Sequence, residues 1–135
     1  MTRLLLDTHL VLWWLNADPR LPDEVVQRVH APEAEVFVSQ ASLWEMAIKT
    51  SLGRLRVDLP EVERQVPLQG FCWLPIRNDH LLTVAELESG GEHRDPFDRL
   101  LVCQANSWWR YQTPARCKTP LVGLALGSYN PADSC

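Results

Sequence analysis

Lysine is almost missing from this chain of 135 residues. Lys49 and Lys118 are the only two, and arginine supplies the rest of the 13 basic residues, a bias that suggests a GC-rich gene. Against 17 acids the formal net charge is -4, which excludes a generic nucleic-acid-binding surface built from massed positive charge. It does not exclude an enzyme acting on nucleic acid, because metal ions supply positive charge locally. Cys72, Cys103, Cys117 and Cys135 form no CxxC pair and have no zinc-ligand spacing. In a chain without a secretion signal they are expected to be free thiols. No apolar run is long enough to cross a bilayer, and Asp7 falls where a signal peptide would carry its apolar stretch. The expectation is a cytoplasmic protein without a membrane segment. What is present is 46% hydrophobic content, enough for the core of one ordinary domain.

Short apolar runs alternate with helical patterns. "RLLLD" and "EVFVS" read as buried strands, and "CWLPI" resembles a third. Helices are expected over "HLVLWWLN", over "LPDEVVQRVHA" with Pro22 in its first turn and Asp23 and Glu24 at its positive end, and over "SQASLWEMAIKTSLGRL". The last of these takes Ser39 or Ser42 as N-cap and ends near Gly53. "LPEVERQVPLQGF" is a weaker helix, and "RNDHLLTVAELES" is capped by Asn78 or Asp79 and stopped by Gly90 and Gly91. "HRDPFDRLLVCQAN" is the best-marked helix, with Asp95 as N-cap and Pro96 at the first helical position. Strands alternating with helices predict an α/β fold with a parallel sheet.

The first strand ends in a carboxylate, and a lone buried charge there costs several kcal/mol unless it is bonded, paired or metal-bound. Other acids are placed to join it. Sites in open parallel sheets form at the carboxyl ends of strands. Asp7 sits at such an end, Glu45 lies one turn inside the helix after the second strand, and Asp95 and Asp98 open the helix after the third. Convergent carboxylates repel, and a hard divalent cation such as Mg²⁺ or Mn²⁺ relieves the repulsion. Each acid also has a plain structural role: Asp7 as a helix cap, Glu45 as partner of Lys49 four residues on, Asp95 as N-cap, Asp98 as partner of Arg94. His9 and His93 lack metal-ligand spacing and read as hydrogen-bonding residues. The tryptophans read as core or interface.

"LLLDTHLVLWWL", "VFVSQASLWEMAIKTSLGRL" and "HRDPFDRLLVCQA" together resemble the PIN-domain family, and most closely its VapC-type toxins of type II toxin–antitoxin (VapBC) modules. The resemblance covers residues 2–105. It implies a three-layer α/β/α fold and a Mg²⁺-dependent, single-strand-specific endoribonuclease. Metal ligands would be Asp7, Glu45 and Asp98, with Asp95 beside them. Thr8 and Ser39 would place hydroxyls near bound RNA, and Arg94 and Arg99 would contact phosphates. It further implies a VapB-like antitoxin lying across the active site, where the tryptophan-rich first helix suits such a contact, and a homodimer. The competing readings are a degenerate remnant that binds its antitoxin but cleaves poorly, and a structural α/β module whose acids are only caps and surface pairs.

The family pattern continues with another buried strand and a fourth acid. This chain instead reads "NSWWRYQTPARCKT". Shifted forward by two bases from the two Trp codons, the same DNA reads approximately V-A-L-P-D-A-R-A-L: a buried strand, an acid and a helix start. The expectation is therefore a PIN-like domain over 1–105 and an atypical, out-of-frame tail over 106–135, the alternative being a genuinely divergent tail.

Overall fold

Three consecutive leucines, Leu4 to Leu6, are buried on both sides of the first strand, which is why its sequence is continuous rather than alternating. The computed structural model describes residues 2–87 and 95–107. Their order is β1 (Thr2–Leu6), α1 (Thr8–Leu15), α2 (Asp23–His30), β2 (Ala34–Ser39), α3 (Gln40–Ser51), α4 (Leu59–Leu68), β3 (Cys72–Leu74), α5 (Asn78–Val84) and α6 (Pro96–Asn106). The strands form a parallel sheet in the order β1-β2-β3. The α/β fold expected from the alternation is thus present.

Register separates two faces. Leu4 and Leu6 lie beside Val36 and Val38, while Leu5 lies beside Phe37. The even-numbered set packs with Leu10 and Val11 of α1, Val25 of α2, Met46 of α3 and Val62 and Val66 of α4. Leu5, Phe37 and Leu74 pack instead with Leu101 of α6, and α5 packs on α6. Helices on both faces give the three layers, and all three described strands end at the same edge.

Local chemistry sets most boundaries. Asp7 Oδ1 accepts the Leu10 N–H at 2.8 Å and starts α1. Ser39, not Ser42, caps α3 through the Ala41 N–H. Asp95 caps α6 by accepting from Phe97 N–H at 2.8 Å, with Pro96 in the first helical position as expected. The start of α5 departs from expectation. Its cap is Arg77, whose backbone N–H donates to His80 Nδ1 at 3.0 Å, so neither Asn78 nor Asp79 is used. That helix ends at Val84; Gly90 and Gly91 lie outside the described residues. The α3 helix closes with Gly53 at φ +72, where Gly53 N–H meets Thr50 O at 3.1 Å and Arg54 N–H meets Lys49 O at 2.9 Å. This paired closure needs a left-handed residue, which glycine adopts without a side-chain clash.

Cys103 is a buried free thiol, and burial raises its pKa. Cys117 and Cys135 lie outside the described residues. Among the described residues no helix is long and apolar enough to cross a membrane. The tail from residue 108 onward, including the proposed frame change, lies outside the described residues.

Leu5→Ala, at a site 1% exposed, is expected to lower unfolding free energy by about 2–5 kcal/mol. Leu82→Ala, at 72% exposure, should change it by less than about 0.5 kcal/mol. Urea denaturation of both variants checks the layer assignment, and equal losses would contradict it.

Candidate active site

Asp7 is the deepest of the acids. It follows the last residue of β1 directly and is 1% exposed. Capping α1 occupies Oδ1, while Oδ2 is buried without a hydrogen-bond partner. Burial pushes its pKa up to about 7; hydrogen bonds from the Leu10 and His9 backbone oppose this, and the charges of Asp98 and Glu45 add to it. The influence of those two carboxylates on Asp7 places the three acids in one electrostatic neighbourhood.

Glu45 is held from two directions. Its Oε1 accepts the Thr8 hydroxyl at 2.7 Å, and its Oε2 pairs with Lys49 Nζ at 2.7 Å. The expected pair with Lys49 is present, and this i,i+4 cation orients a carboxylate that is itself buried. Asp98 is half-buried in the first turn of α6, and Asp95 beside it is exposed and committed to the cap. His9 is half-buried, with its ring edge-on to Trp13 at 6.2 Å. Its pKa is lowered by burial first and by the Lys49 charge second, so the ring is neutral at pH 7.

Several expected RNA contacts are placed otherwise. Thr8 is buried and donates to Glu45, so it positions a carboxylate. Ser39 is fully buried. It accepts the α3 cap bond and donates to Gln104 Oε1 at 2.6 Å, and Gln104 Nε2 donates to Pro75 O at 3.3 Å. Ser39 thus ties β2 to α6 and to the end of β3, and its burial corrects the expectation of a contact with RNA. The Arg99 guanidinium donates to Leu87 O at 3.2 Å and Val84 O at 3.5 Å, which anchors the end of α5 rather than presenting the group to a phosphate. Arg94 and His93 lie outside the described residues. Gln104 had no assigned role in the sequence; a polar residue on the core-facing side of α6 was the available signal.

The donor set suits a hard divalent cation: carboxylate oxygens, one of them buried and unpartnered, under mutual repulsion. Among the described residues no three His, Cys, Asp or Glu side chains are gathered tightly enough to hold an ion by themselves. Water between ion and protein suits Mg²⁺, which keeps several of its waters.

A parallel sheet covered on both faces, with Asp7 buried just beyond its first strand in the field of Glu45 and Asp98, defines an α/β protein with acids near the carboxyl ends of its strands. The chain belongs to the PIN-domain family, whose family model matches residues 4–107. PIN domains are generally nucleases and typically use divalent metals. No curated protein and no solved structure matches the chain.

The raised pKa of Asp7 has a defined consequence. A folded-state pKa above the unfolded value favours the protonated form, so its contribution to stability is complete below pH 3.8 and is lost as pH rises through about 7. The loss is on the order of 4 kcal/mol from that shift alone. Metal-free melting temperatures are expected to fall between pH 5 and pH 8 at roughly constant ionic strength, and Asp7→Asn should flatten that fall. A variant whose profile still matches the parent would assign the pH dependence to another group.

Proposed function

We propose that the chain is a Mg²⁺-dependent, single-strand-specific endoribonuclease, the toxin component of a VapBC-type toxin–antitoxin module. The observation that carries the reading is the buried, unpartnered oxygen of Asp7 within the field of Glu45 and Asp98. Asp7, Glu45 and Asp98 would hold Mg²⁺ or Mn²⁺. When bound, the ion supplies a water of lowered pKa and neutralises charge on the leaving oxygen. The chain's own groups prepare the site. Thr8 and Lys49 fix the two oxygens of Glu45. Asp95 fixes the first turn of α6 and so the position of Asp98. Asp7 stays fixed through its cap bond to α1.

The proposed partners are single-stranded RNA, a VapB-like antitoxin and a second copy of the chain, in the cytoplasm. Trp13 and Trp14 on α1 support a protein contact there, although Trp14 is already tied to Gln69 Oε1 at 3.0 Å and packed on Phe71 and His30. The second reading, a poorly cleaving remnant that still binds an antitoxin, is favoured by the sequence after 106, which lacks the fourth acid of the family pattern in its present frame. We keep residues 1–105 as the PIN-like unit and 106–135 as an out-of-frame tail within this proposal.

Calorimetric titration with Mn²⁺ should show binding that Asp7→Asn abolishes. Asp7→Ala and Asp98→Ala should each lower single-stranded RNA cleavage by orders of magnitude. Asp95→Ala should keep most cleavage and lose about 0.5–2 kcal/mol of stability, the usual cost of a lost cap. Equal loss of activity at Asp95 and Asp98 would refute that division. Induced expression should arrest growth, with rescue by a small adjacent reading frame. Arrest that persists in the Asp7→Ala strain would exclude nuclease activity as its cause.

A further inference from the structure

The chain is acidic overall, yet one cavity gathers four of its 13 basic residues. A hollow of about 520 Å³ is lined by Arg20, Lys49, Arg54 and Arg56, with Asp18 as its single acid. Thr8, His9 and Lys49 belong to this lining as well as to the acidic centre, so the hollow opens directly beside Glu45.

Two of its cations differ from most of the other arginines. Arg20 pairs with Asp18, Arg28 with Glu24, Arg64 with Glu61, and Arg77 with Asp79. Arg54 and Arg56 have neither an ion pair nor a hydrogen bond from their side chains among the described residues, and both are exposed. Their placement is built in. Gly53 turns the chain out of α3, and the next four residues alternate: Leu55 and Val57 pack on the core cluster, while Arg54 and Arg56 are exposed. Across the hollow, Trp13 and His9 supply aromatic surface, with the Arg20 guanidinium 5.1 Å from the Trp13 ring centroid.

We propose that this cavity is a backbone subsite for single-stranded RNA. Arg54 and Arg56 take phosphates flanking the one at the acidic centre, and the wall of Trp13 and His9 packs against a base. Unpaired cations beside aromatic rings are the combination by which proteins hold single strands without reading sequence. An acidic peptide would satisfy the arginines but would leave the shared wall with the acidic centre without purpose. The inference rests on the ribonuclease reading and extends it to how the substrate is held.

The test uses the full chain in EDTA, so that binding is read without cleavage, with a short fluorescein-labelled single-stranded oligoribonucleotide followed by anisotropy. The double variant Arg54→Gln/Arg56→Gln should bind about tenfold more weakly near 0.15 M salt, and its plot of log affinity against log salt should be shallower by about 1.4, or roughly 0.7 per lost phosphate contact. Trp13→Leu should weaken binding with the slope kept. Arg28→Gln, on α2 and outside the cavity lining, should match the parent in both. Unchanged affinity and slope in the double variant overturn the subsite, as does an equal loss in Arg28→Gln. Intact RNA binding with lost binding of a labelled oligoglutamate peptide also overturns it, in favour of an acidic protein partner. With Mg²⁺ restored, a parent chain that binds through Arg54 and Arg56 but never cleaves supports the subsite and defeats the ribonuclease reading. Cleavage with KM unchanged in the double variant defeats the subsite alone.

Discussion

The buried carboxylate of Asp7 is the constraint around which the rest is arranged. Taking a carboxylate out of water is unfavourable by several kcal/mol unless its oxygens are satisfied. Here one oxygen is satisfied and one is not. The satisfied oxygen begins α1, so the same residue that creates the electrostatic problem also fixes where the first helix starts. The unsatisfied oxygen leaves the site favouring a proton or a cation. Two apolar clusters, one on each face of the sheet, must offset this standing cost. That arrangement is expected of a functional centre, where local strain is retained for what it does to a ligand.

Parallel pairing sets the next level of order. Leu6 lies beside Val38, and Ser39 beside Leu74, so the strand ends are aligned. Ser39, Gln104 and the Pro75 carbonyl then bolt the ends of β2, α6 and β3 together inside the core. Asp98 rides on the helix so fastened. Thr8, the first residue after the strand-ending Asp7, reaches across to Glu45. Neighbouring polar groups are thus committed to holding carboxylates or the elements that carry them, which fixes the side chains in one geometry.

What was legible in the sequence was local. The leucine run of β1, the Ser39 cap and the Asp95-Pro96 start of α6 depend on residues within a turn or two of each other. The roles of Thr8 and Ser39 were not legible, because their partners lie 37 and 65 residues away. A hydroxyl near an acidic site reads equally well as a substrate contact or as a brace, and only burial separates the two. Arg99 shows the same limit: its guanidinium goes to carbonyls at the end of α5, a helix whose own start was misplaced because His80 takes the cap bond with its ring. The basic hollow was invisible for a different reason. Arg20 and the Arg54–Arg56 segment are far apart in the chain, and the charge balance of the whole conceals their meeting.

The scarcity of lysine acquires a physical sense at one position. Lys49 is the single lysine among the described residues, and it stands beside Glu45. An ammonium is a compact point charge that satisfies one carboxylate oxygen, whereas a guanidinium presents a planar fork suited to both. With lysine there, Oε2 is paired while Oε1 remains with Thr8. An arginine in its place would reach for both oxygens and so compete with the Thr8 hydroxyl for Oε1. Arg20 and Arg64 use that fork, each giving two bonds to one carboxylate. Arg20 pairs with Asp18, Arg99 donates to two carbonyls, and Arg54 and Arg56 are exposed toward the hollow. Lys49 thus holds one oxygen of a buried acid, whereas the arginines beside Asp18 and Glu61 grip both oxygens of acids nearer the surface.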